Sequence, residues 1–245
     1  MDKLDGGYNL IFIYLLSALA GNVYETVMFL FRRRKFVFSN GSITTPFNFV
    51  YGIGAVAICA STIWVSDHWW AVMLSGALLG GIVEYILSFL EEKILHTRTW
   101  DYRYMKFNVN GRTGLLPIAV WGALSLLVLY GVYFPLVRHI VEPYFLSTPS
   151  RAQTYHTVLI VLICYCAFDL LLTTFVVMRY QRRNNGVPAR NGFIRVIDKV
   201  FNDRYMERHF ENTKVVKKTD ETPQSDVETP DAETFDEAEP QIQEN

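Results

Sequence analysis

Three carboxylates stand within long apolar stretches of this sequence, where an ionised side chain is costly. They are Glu25, Glu84 and Asp169. On insertion scales, an ionised side chain at the centre of a bilayer costs about 2.5–3.5 kcal/mol. A carboxyl group in that position can bind a cation, relay a proton or hold helices together through hydrogen bonds. We therefore treat the three residues as candidates for a substrate or proton site.

The apolar stretches are long enough to hold these carboxylates within a membrane. About 20 residues, rising 1.5 Å each, cross the hydrocarbon core. The predicted fold class is therefore all-α, a polytopic membrane bundle of about five transmembrane helices. The predicted spans are residues 8–31, 46–65, 69–94, 115–137 and 155–178.

A cleaved signal peptide is the alternative interpretation of the first stretch. The side chains before it, with Asp2, Lys3 and Asp5, lack the excess of positive charge that signal peptides carry, and the stretch ends at a basic block, residues 32–35. These features favour a membrane anchor.

The basic residues predict the orientation of the chain. Lysine and arginine are concentrated after the first, third and fifth stretches, at residues 32–35, 93–112 and 179–195. With five spans, all three basic segments fall on the same side, which the positive-inside rule assigns to the cytoplasm. We expect a multi-pass protein of the cell membrane with its N-terminus outside and its C-terminus in the cytoplasm.

The three carboxylates are predicted to share one layer in the inner half of the bilayer. Glu25, Glu84 and Asp169 precede the basic ends of their stretches by seven, nine and ten residues, or about 10–15 Å along a helix. Asn22 lies one turn before Glu25 and shares its helix face.

Small residues precede Glu84 at helical spacing. Gly76 and Gly80 stand eight and four residues before it, which predicts a groove where a neighbouring helix approaches closely and buries the carboxyl group.

Two interpretations of these polar residues remain open at the sequence level. In one, they form a cluster that holds the helices together, with each carboxyl group protonated or paired with a base such as Arg112. In the other, they line a substrate or proton site, with Arg112 reaching Glu84 or Glu25. The candidate residues under the second interpretation are Glu25, Glu84, Arg112, Asn22 and Asp169.

The C-terminal quarter of the chain has a different character from the transmembrane domain, residues 1–180. Residues 181–211 are basic, and apolar residues recur at helical spacing between 193 and 210, which predicts an amphipathic helix on the inner leaflet or on a partner protein. Residues 212–245 are polar, mostly acidic and contain three prolines, so we predict a disordered tail.

Several functional classes lack their sequence signatures here. The sequence has no phosphate-binding Gly-Lys-Ser/Thr loop, no His/Cys spacing typical of metal sites and no Gly-x-Ser-x-Gly elbow. The membrane topology accounts for the basic residues, so they do not indicate nucleic-acid binding. We expect no catalytic activity of the chain itself, no cofactor and no metal.

Two stretches carry longer motifs. The first joins Tyr24-Glu25 to the run Thr45-Pro46-Phe47-Asn48-Phe49-Val50-Tyr51-Gly52-Ile53-Gly54-Ala55. The second contains Glu84-Tyr85, Ser88, Glu92, Trp100-Asp101-Tyr102, Phe107-Asn108 and Asn110-Gly111-Arg112. With these motifs, residues 10–135 resemble the bacterial multi-pass proteins named type IV ABC-transporter membrane proteins, or ABC-transporter permeases.

The resemblance implies transport, and with it a partner ATPase. It also draws attention to the loop between the third and fourth stretches, where the family motif includes Trp100, Asp101, Tyr102, Asn108 and Gly111. This loop is either a folded interfacial turn or a docking surface or cavity lid.

Three functions are therefore compared. The first is a permease-like subunit in the lipid bilayer that works with a separate ABC ATPase and forms a homo-oligomer. The second is a membrane scaffold or regulatory protein without transport activity, which recruits partners through its C-terminal segment. The third is an intramembrane enzyme that uses Glu25 and Glu84 as acid and base.

Overall fold

The chain folds mainly into long apolar helices. The computed structural model describes residues 3–34, 41–210 and 214–215. Four helical stretches in this part of the chain have the length and composition to cross a membrane. They are Gly6–Phe31, Trp69–Leu95, Leu115–Phe145 and Pro149–Asn184.

The first three helices are α1 (Lys3–Arg33), α2 (Phe49–Thr62) and α3 (Trp69–Leu95). Asn48 caps α2, because its side-chain oxygen accepts a hydrogen bond from the Val50 amide. A 3-10 turn, Ile63–Val65, extends α2, giving a shorter apolar helix over Phe49–Val65. This is about 25 Å long at 1.5 Å per residue, so a fifth span stays a prediction.

The fourth apolar stretch runs further than its predicted bounds, residues 115–137. It begins as α4 (Leu115–Leu126), continues as a π-helical segment (Leu127–Val141) and ends as α5 (Glu142–Phe145). The π-helical segment contains Pro135, whose ring nitrogen carries no hydrogen to donate.

The long helix α6 (Pro149–Asn184) likewise exceeds its predicted bounds, residues 155–178. It starts with a capped turn, in which Thr148 accepts a hydrogen bond from the Arg151 amide and proline occupies the first turn. Polar residues that hydropathy excludes from a span therefore continue the helix at both of its ends.

Small residues allow α3 and α4 to pack closely. A Cβ atom added to Gly80 would lie 2.5 Å from the side chain of Trp121, and one added to Gly76 would overlap Ser125. The close approach predicted at these glycines is confirmed, and it leaves the Glu84 side of α3 covered by α4.

A compact loop connects α3 to α4. It contains the strands β1 (Thr97–Arg98), β2 (Asn108–Val109) and β3 (Thr113–Gly114), with β2 and β3 paired antiparallel. Strand β1 pairs antiparallel with β4 (Lys214–Val215), which lies in the segment predicted to be disordered. The rest of that prediction, for the acidic tail, falls outside the described residues.

The segment predicted as one amphipathic helix forms two short helices, α7 (Gly192–Val200) and α8 (Asp203–His209). Asn202 separates them because its side chain caps α8 by accepting a hydrogen bond from the Tyr205 amide. Apolar side chains of both helices pack with Val176 and Val177 of α6. The C-terminal helices are therefore docked on the bundle.

Candidate functional site

A cavity of about 900 Å³ lies among the helices that carry the polar residues. Residues of α1, α2, α3 and α4 form its walls, and the loop at residues 97–105 borders it. Residues of α6 and the end of α8, including His209, complete the lining. This volume lies within the range of pockets that bind small organic ligands, about 300–1,000 Å³.

Glu84 lines the cavity as a buried carboxylate, only 6% exposed. The Tyr102 hydroxyl donates a hydrogen bond to its Oε1 atom at 3.0 Å, and the Thr113 hydroxyl donates to its Oε2 atom at 2.8 Å. The indole of Trp121 also interacts with this carboxylate. All of these donors are neutral, and no described residue forms an ion pair with Glu84.

Glu25 borders the same cavity from α1. Its carboxylate interacts with the Tyr51 side chain of α2. Burial raises the pKa of the Tyr102 hydroxyl. The negative charge of Glu84 and, less strongly, that of Glu25 raise it further. The cavity therefore brings Glu25 and Glu84 to one space, with Tyr102 close to both.

Glu91 is a third carboxylate in the lining. It stands seven residues after Glu84, so both project from nearly the same face of α3. Glu91 accepts hydrogen bonds from the hydroxyls of Thr97 at 3.0 Å and Thr99 at 2.8 Å. Its donors, like those of Glu84, are uncharged.

Arg112 does not reach Glu84 or Glu25, so the pairing considered from the sequence is corrected. Its guanidinium lies 2.8 Å from Glu92, and it donates a hydrogen bond to the Ser88 carbonyl at 3.1 Å. Arg98 also pairs with Glu92, at 2.7 Å. Glu92 is outside the lining described for the cavity, and both arginines neutralise it there.

Asp169 has a separate role in the fold and lies outside the described lining of the cavity. Its side chain is fully buried and accepts hydrogen bonds from the backbone amides of Thr44 and Thr45, both at 3.0 Å. The Thr45 hydroxyl donates a further bond at 2.6 Å. Asp169 thus fixes the segment that leads into α2, on which Tyr51 is carried.

Asn22 is also buried without lining the cavity as described. Its side-chain oxygen accepts a hydrogen bond from the Thr26 hydroxyl at 3.3 Å. Its amide nitrogen has no hydrogen-bond partner among the described residues.

The motif residues of the loop between α3 and α4 hold it in a fixed shape over the cavity. The Trp100 indole donates to the Arg112 carbonyl at 3.0 Å, and Asn108 accepts a bond from the Gly111 amide at 2.9 Å. Gly111 has φ +71°, and a Cβ atom there would lie 2.7 Å from a carboxylate oxygen of Asp101. The loop is a folded turn whose Trp100 and Tyr102 also line the cavity.

Four residues important to this site were missed or left unassigned by the sequence analysis. Tyr51 stood within a recognised motif but had no assigned role. Glu91 lay between two motif residues, Ser88 and Glu92, also without an assigned role, while Thr113 and Trp121 had no sequence signal of their own. Their importance depends on tertiary contacts, although the seven-residue spacing of Glu84 and Glu91 could have placed both on one helix face.

The lining combines carboxylates with aromatic rings. Tyr24, Tyr51 and Trp121 form a connected series, with ring centroids 6.4 Å and 6.5 Å apart. Within the described residues, no group of three histidine, cysteine or acidic side chains is placed to hold a metal ion. The arrangement can bind a polar or cationic group at the carboxylates and an apolar group against the rings.

Comparison with known proteins matches about two thirds of the chain, including most of the helices described above, to one family. No curated protein and no solved structure matches the chain. One family model matches residues 12–174, a stretch that extends beyond residues 10–135, where the motifs were recognised, and reaches Asp169. The chain belongs to this family, described as "Putative ABC-transporter type IV".

Proposed function

We propose that this chain is a permease-like membrane subunit of an ABC transporter, and that the cavity among α1–α4 belongs to its substrate path. The family match supports an ABC-transporter-related membrane protein. The cavity supports a role in binding what is moved. Glu84 is the residue proposed to contact the substrate, with Glu25 across the same space.

One observation carries this proposal: Glu84 is buried beside a cavity of about 900 Å³ without an ion-pair partner in the described structure. A carboxylate that only joins helices is expected to be enclosed by its partners, because an uncompensated charge in a low-dielectric interior is costly. Here three neutral groups orient the carboxylate, and open volume remains on the cavity side.

The energy for transport is proposed to come from a separate ATPase, because this chain carries no nucleotide-binding motif. The loop between α3 and α4 is the proposed contact. Tyr104 and Phe107 of this loop are each 78% exposed, which is unusual for large aromatic side chains and typical of interface residues. Five membrane spans are few for a complete translocation path. We therefore propose that the chain assembles as a homo-oligomer, in which several copies together form the path.

The proposed topology has five spans, counting Phe49–Val65, with the N-terminus outside and the C-terminus in the cytoplasm. Single cysteines at Asp67 and Tyr104 test it in a variant that lacks the three native cysteines. A membrane-impermeant maleimide should label Asp67→Cys in intact cells and Tyr104→Cys only after permeabilisation. The reverse pattern, or labelling of both in intact cells, would refute this topology.

The C-terminal helices are proposed to lie at the inner membrane surface. Phe193, Val196 and Val200 of α7 are 65%, 59% and 57% exposed, and their spacing puts them on one side of the helix. An apolar face next to basic residues suits the headgroup region of an anionic leaflet.

The partner ATPase can be sought directly. The full chain, tagged at its chromosomal locus and crosslinked in its own cells, should co-purify with an ATPase in a mild detergent. Phe107→Asp should abolish this co-purification. The control Ser147→Asp, at an exposed position between α5 and α6 on the proposed outer side, should retain it. Absence of any ATPase, or equal loss in both variants, would count against the proposal.

The scaffold alternative makes a different prediction for the C-terminus. Deleting residues 216–245 leaves α7, α8 and β4 in place and removes most of the acidic tail. A transporter subunit should keep its ATPase partner after this deletion, whereas a scaffold that recruits through the tail should lose its partners.

A further inference from the structure

Acidic and basic side chains near the cavity are distributed unequally, with carboxylates in its lining and the neighbouring arginines outside it. Arg98 and Arg112 both pair with Glu92, which lies away from the cavity. Glu84 and Glu91, which line it, receive only hydroxyl, amide and indole donors. The nearby arginines are therefore held where they cannot neutralise the cavity.

The lining has the same bias. None of its described residues is a lysine or arginine, whereas it includes carboxylates at positions 25, 84 and 91. A space lined by carboxylates, with no lysine or arginine in its described lining, favours a cationic occupant in a low-dielectric setting and disfavours an anion.

The rest of the wall is suited to the apolar part of such a ligand. Tyr24, Tyr51 and Trp121 present aromatic rings close to Glu25 and Glu84, and Trp100 and Tyr102 border the space from the loop. Aromatic faces attract organic cations because the ring quadrupole is negative above the ring. Carboxylates and rings together are the recurrent means of recognising alkylated ammonium groups.

We propose that the cavity binds an amphipathic organic cation, an amine or quaternary ammonium group with an apolar portion, with Glu84 as its counter-charge and the Tyr24, Tyr51 and Trp121 rings around it. This inference rests on the proposed function, since it names the substrate class of the same cavity. The ammonium group is either that of a free organic cation or that of a choline headgroup on a lipid.

The test uses the purified full chain in lipid nanodiscs and radiolabelled tetraphenylphosphonium as the probe. Tetraphenylborate, which has a similar shape and the opposite charge, is the comparison ligand. We expect saturable binding of the phosphonium above that of empty nanodiscs. No such binding is expected of the borate, which is measured in separate samples because the two ions form an insoluble ion pair. Equal binding of both ions, or none of the phosphonium, overturns the proposal.

Matched variants locate the binding. Glu84→Gln removes the charge and keeps one oxygen acceptor, for either Tyr102 or Thr113, with an amide group in place of the other oxygen. It should weaken phosphonium binding at least tenfold. Glu207→Gln removes the same charge from an exposed position on α8 and should leave binding unchanged. An equal effect of both substitutions would show that only the overall charge matters, and would overturn the assignment.

A second pair of variants covers the case in which Glu84→Gln fails to fold. Tyr24 is 55% exposed, so Tyr24→Leu should fold. It should weaken binding about threefold by removing a ring, while Tyr24→Phe should bind like the wild type. Unchanged binding in Tyr24→Leu would remove the aromatic wall from the proposal.

The choice of lipid separates the two sources of the ammonium group. If the natural occupant is a choline headgroup, phosphatidylcholine nanodiscs should reduce phosphonium binding relative to phosphatidylglycerol nanodiscs, in wild type but not in Glu84→Gln. If it is a free cation, the two lipids should give the same affinity after correction for empty nanodiscs. Because no ATPase is present, failure here leaves the transporter proposal to its own co-purification test.

Discussion

Adjacent glutamates on α3 have opposite electrostatic surroundings. Glu92 forms ion pairs with Arg98 and Arg112, and neither arginine forms an ion pair with Glu84 or Glu91 among the described residues. Glu91 turns to the threonines of the loop and to the cavity. Consecutive residues of an α-helix point about 100° apart. This rotation separates the neutralised Glu92 carboxylate from the Glu91 carboxylate, which is available to a ligand in the cavity.

One aspartate of α7 adds charged contacts to the apolar packing that docks the C-terminal helices on α6. Asp198 accepts hydrogen bonds from Arg179 at 2.7 Å and 2.9 Å, and Arg183 lies 3.1 Å from it. The hydrogen bonds and charge of Arg179, with a contribution from Arg183, hold the pKa of Asp198 below its usual range. These contacts tie the C-terminal helices to the end of α6.

The lowered pKa predicts how this docking depends on pH. Because the folded-state pKa lies below the unfolded value of about 3.9, the stabilisation is fully present above that value and is lost as the pH falls through the folded-state pKa. Protease cleavage in residues 185–191 should therefore stay slow from neutral pH to about pH 5 and rise only in stronger acid. Asp198→Asn should be cleaved faster at neutral pH, and a wild-type rise already near pH 6 would contradict this account.

At the scale of elements, the contact between α3 and α4 determines where Glu84 lies. Trp121 occupies the space left by Gly80 and approaches Gly54 of α2 as well. One side chain thus spaces three helices and also contacts the Glu84 carboxylate. The packing and the site cannot be changed independently at this position.

Gly80→Ala tests this contact. The added methyl group would lie 2.5 Å from Trp121, and overpacking of this kind typically costs about 1–3 kcal/mol. Gly7→Ala is the matched control, because no atom lies within 4 Å of the added Cβ atom and alanine favours a helix. Thermal unfolding in detergent should show a lower midpoint for Gly80→Ala alone, and equal midpoints would contradict the packing described here.

The loop between α3 and α4 offers a second test at this scale. Gly111→Ala introduces a residue at φ +71° and a clash with Asp101, whereas Gly186→Ala introduces one at φ +77° with no atom within 4 Å. Both substitutions introduce backbone strain, because L-residues rarely adopt a positive φ. Only Gly111→Ala also clashes with Asp101 within the loop, so only this substitution should displace the loop. Faster proteolysis within residues 97–114 is expected for Gly111→Ala alone. A rate in this loop equal to that of the wild type would contradict the packing described for Gly111.

Sequence reasoning reached some of these elements and not others, for physical reasons. Long apolar runs identified the cores of α1, α3, α4 and α6, and the Gly76–Gly80 spacing anticipated the burial of Glu84, because both signals are local. The partner of Arg112 could not be predicted, since Glu84, Glu91 and Glu92 are all within reach in sequence and the fold of the loop decides among them. The role of Asp169 depends on a segment more than 120 residues earlier.

The whole molecule is a membrane bundle of helices built around an open, acidic and aromatic space. Its walls come from four helices and its border from a motif-bearing loop and the docked C-terminal helices. The central claim is that water and solutes reach this space, while the adjoining faces of the same helices meet lipid. Two neighbouring residues of α3 face these two environments. Leu87 lines the cavity, whereas Ile86 is 48% exposed on the outer face of the helix.

Cysteine labelling at these neighbouring positions is the most direct measurement. In a variant with Cys59, Cys164 and Cys166 replaced by serine, single cysteines at Leu87 and Ile86 are treated with a charged, water-soluble methanethiosulfonate in membranes. The account predicts modification of Leu87→Cys and none of Ile86→Cys. Modification of Ile86→Cys alone, or of neither, would mean that the space beside Glu84 is closed to water, and would contradict the account.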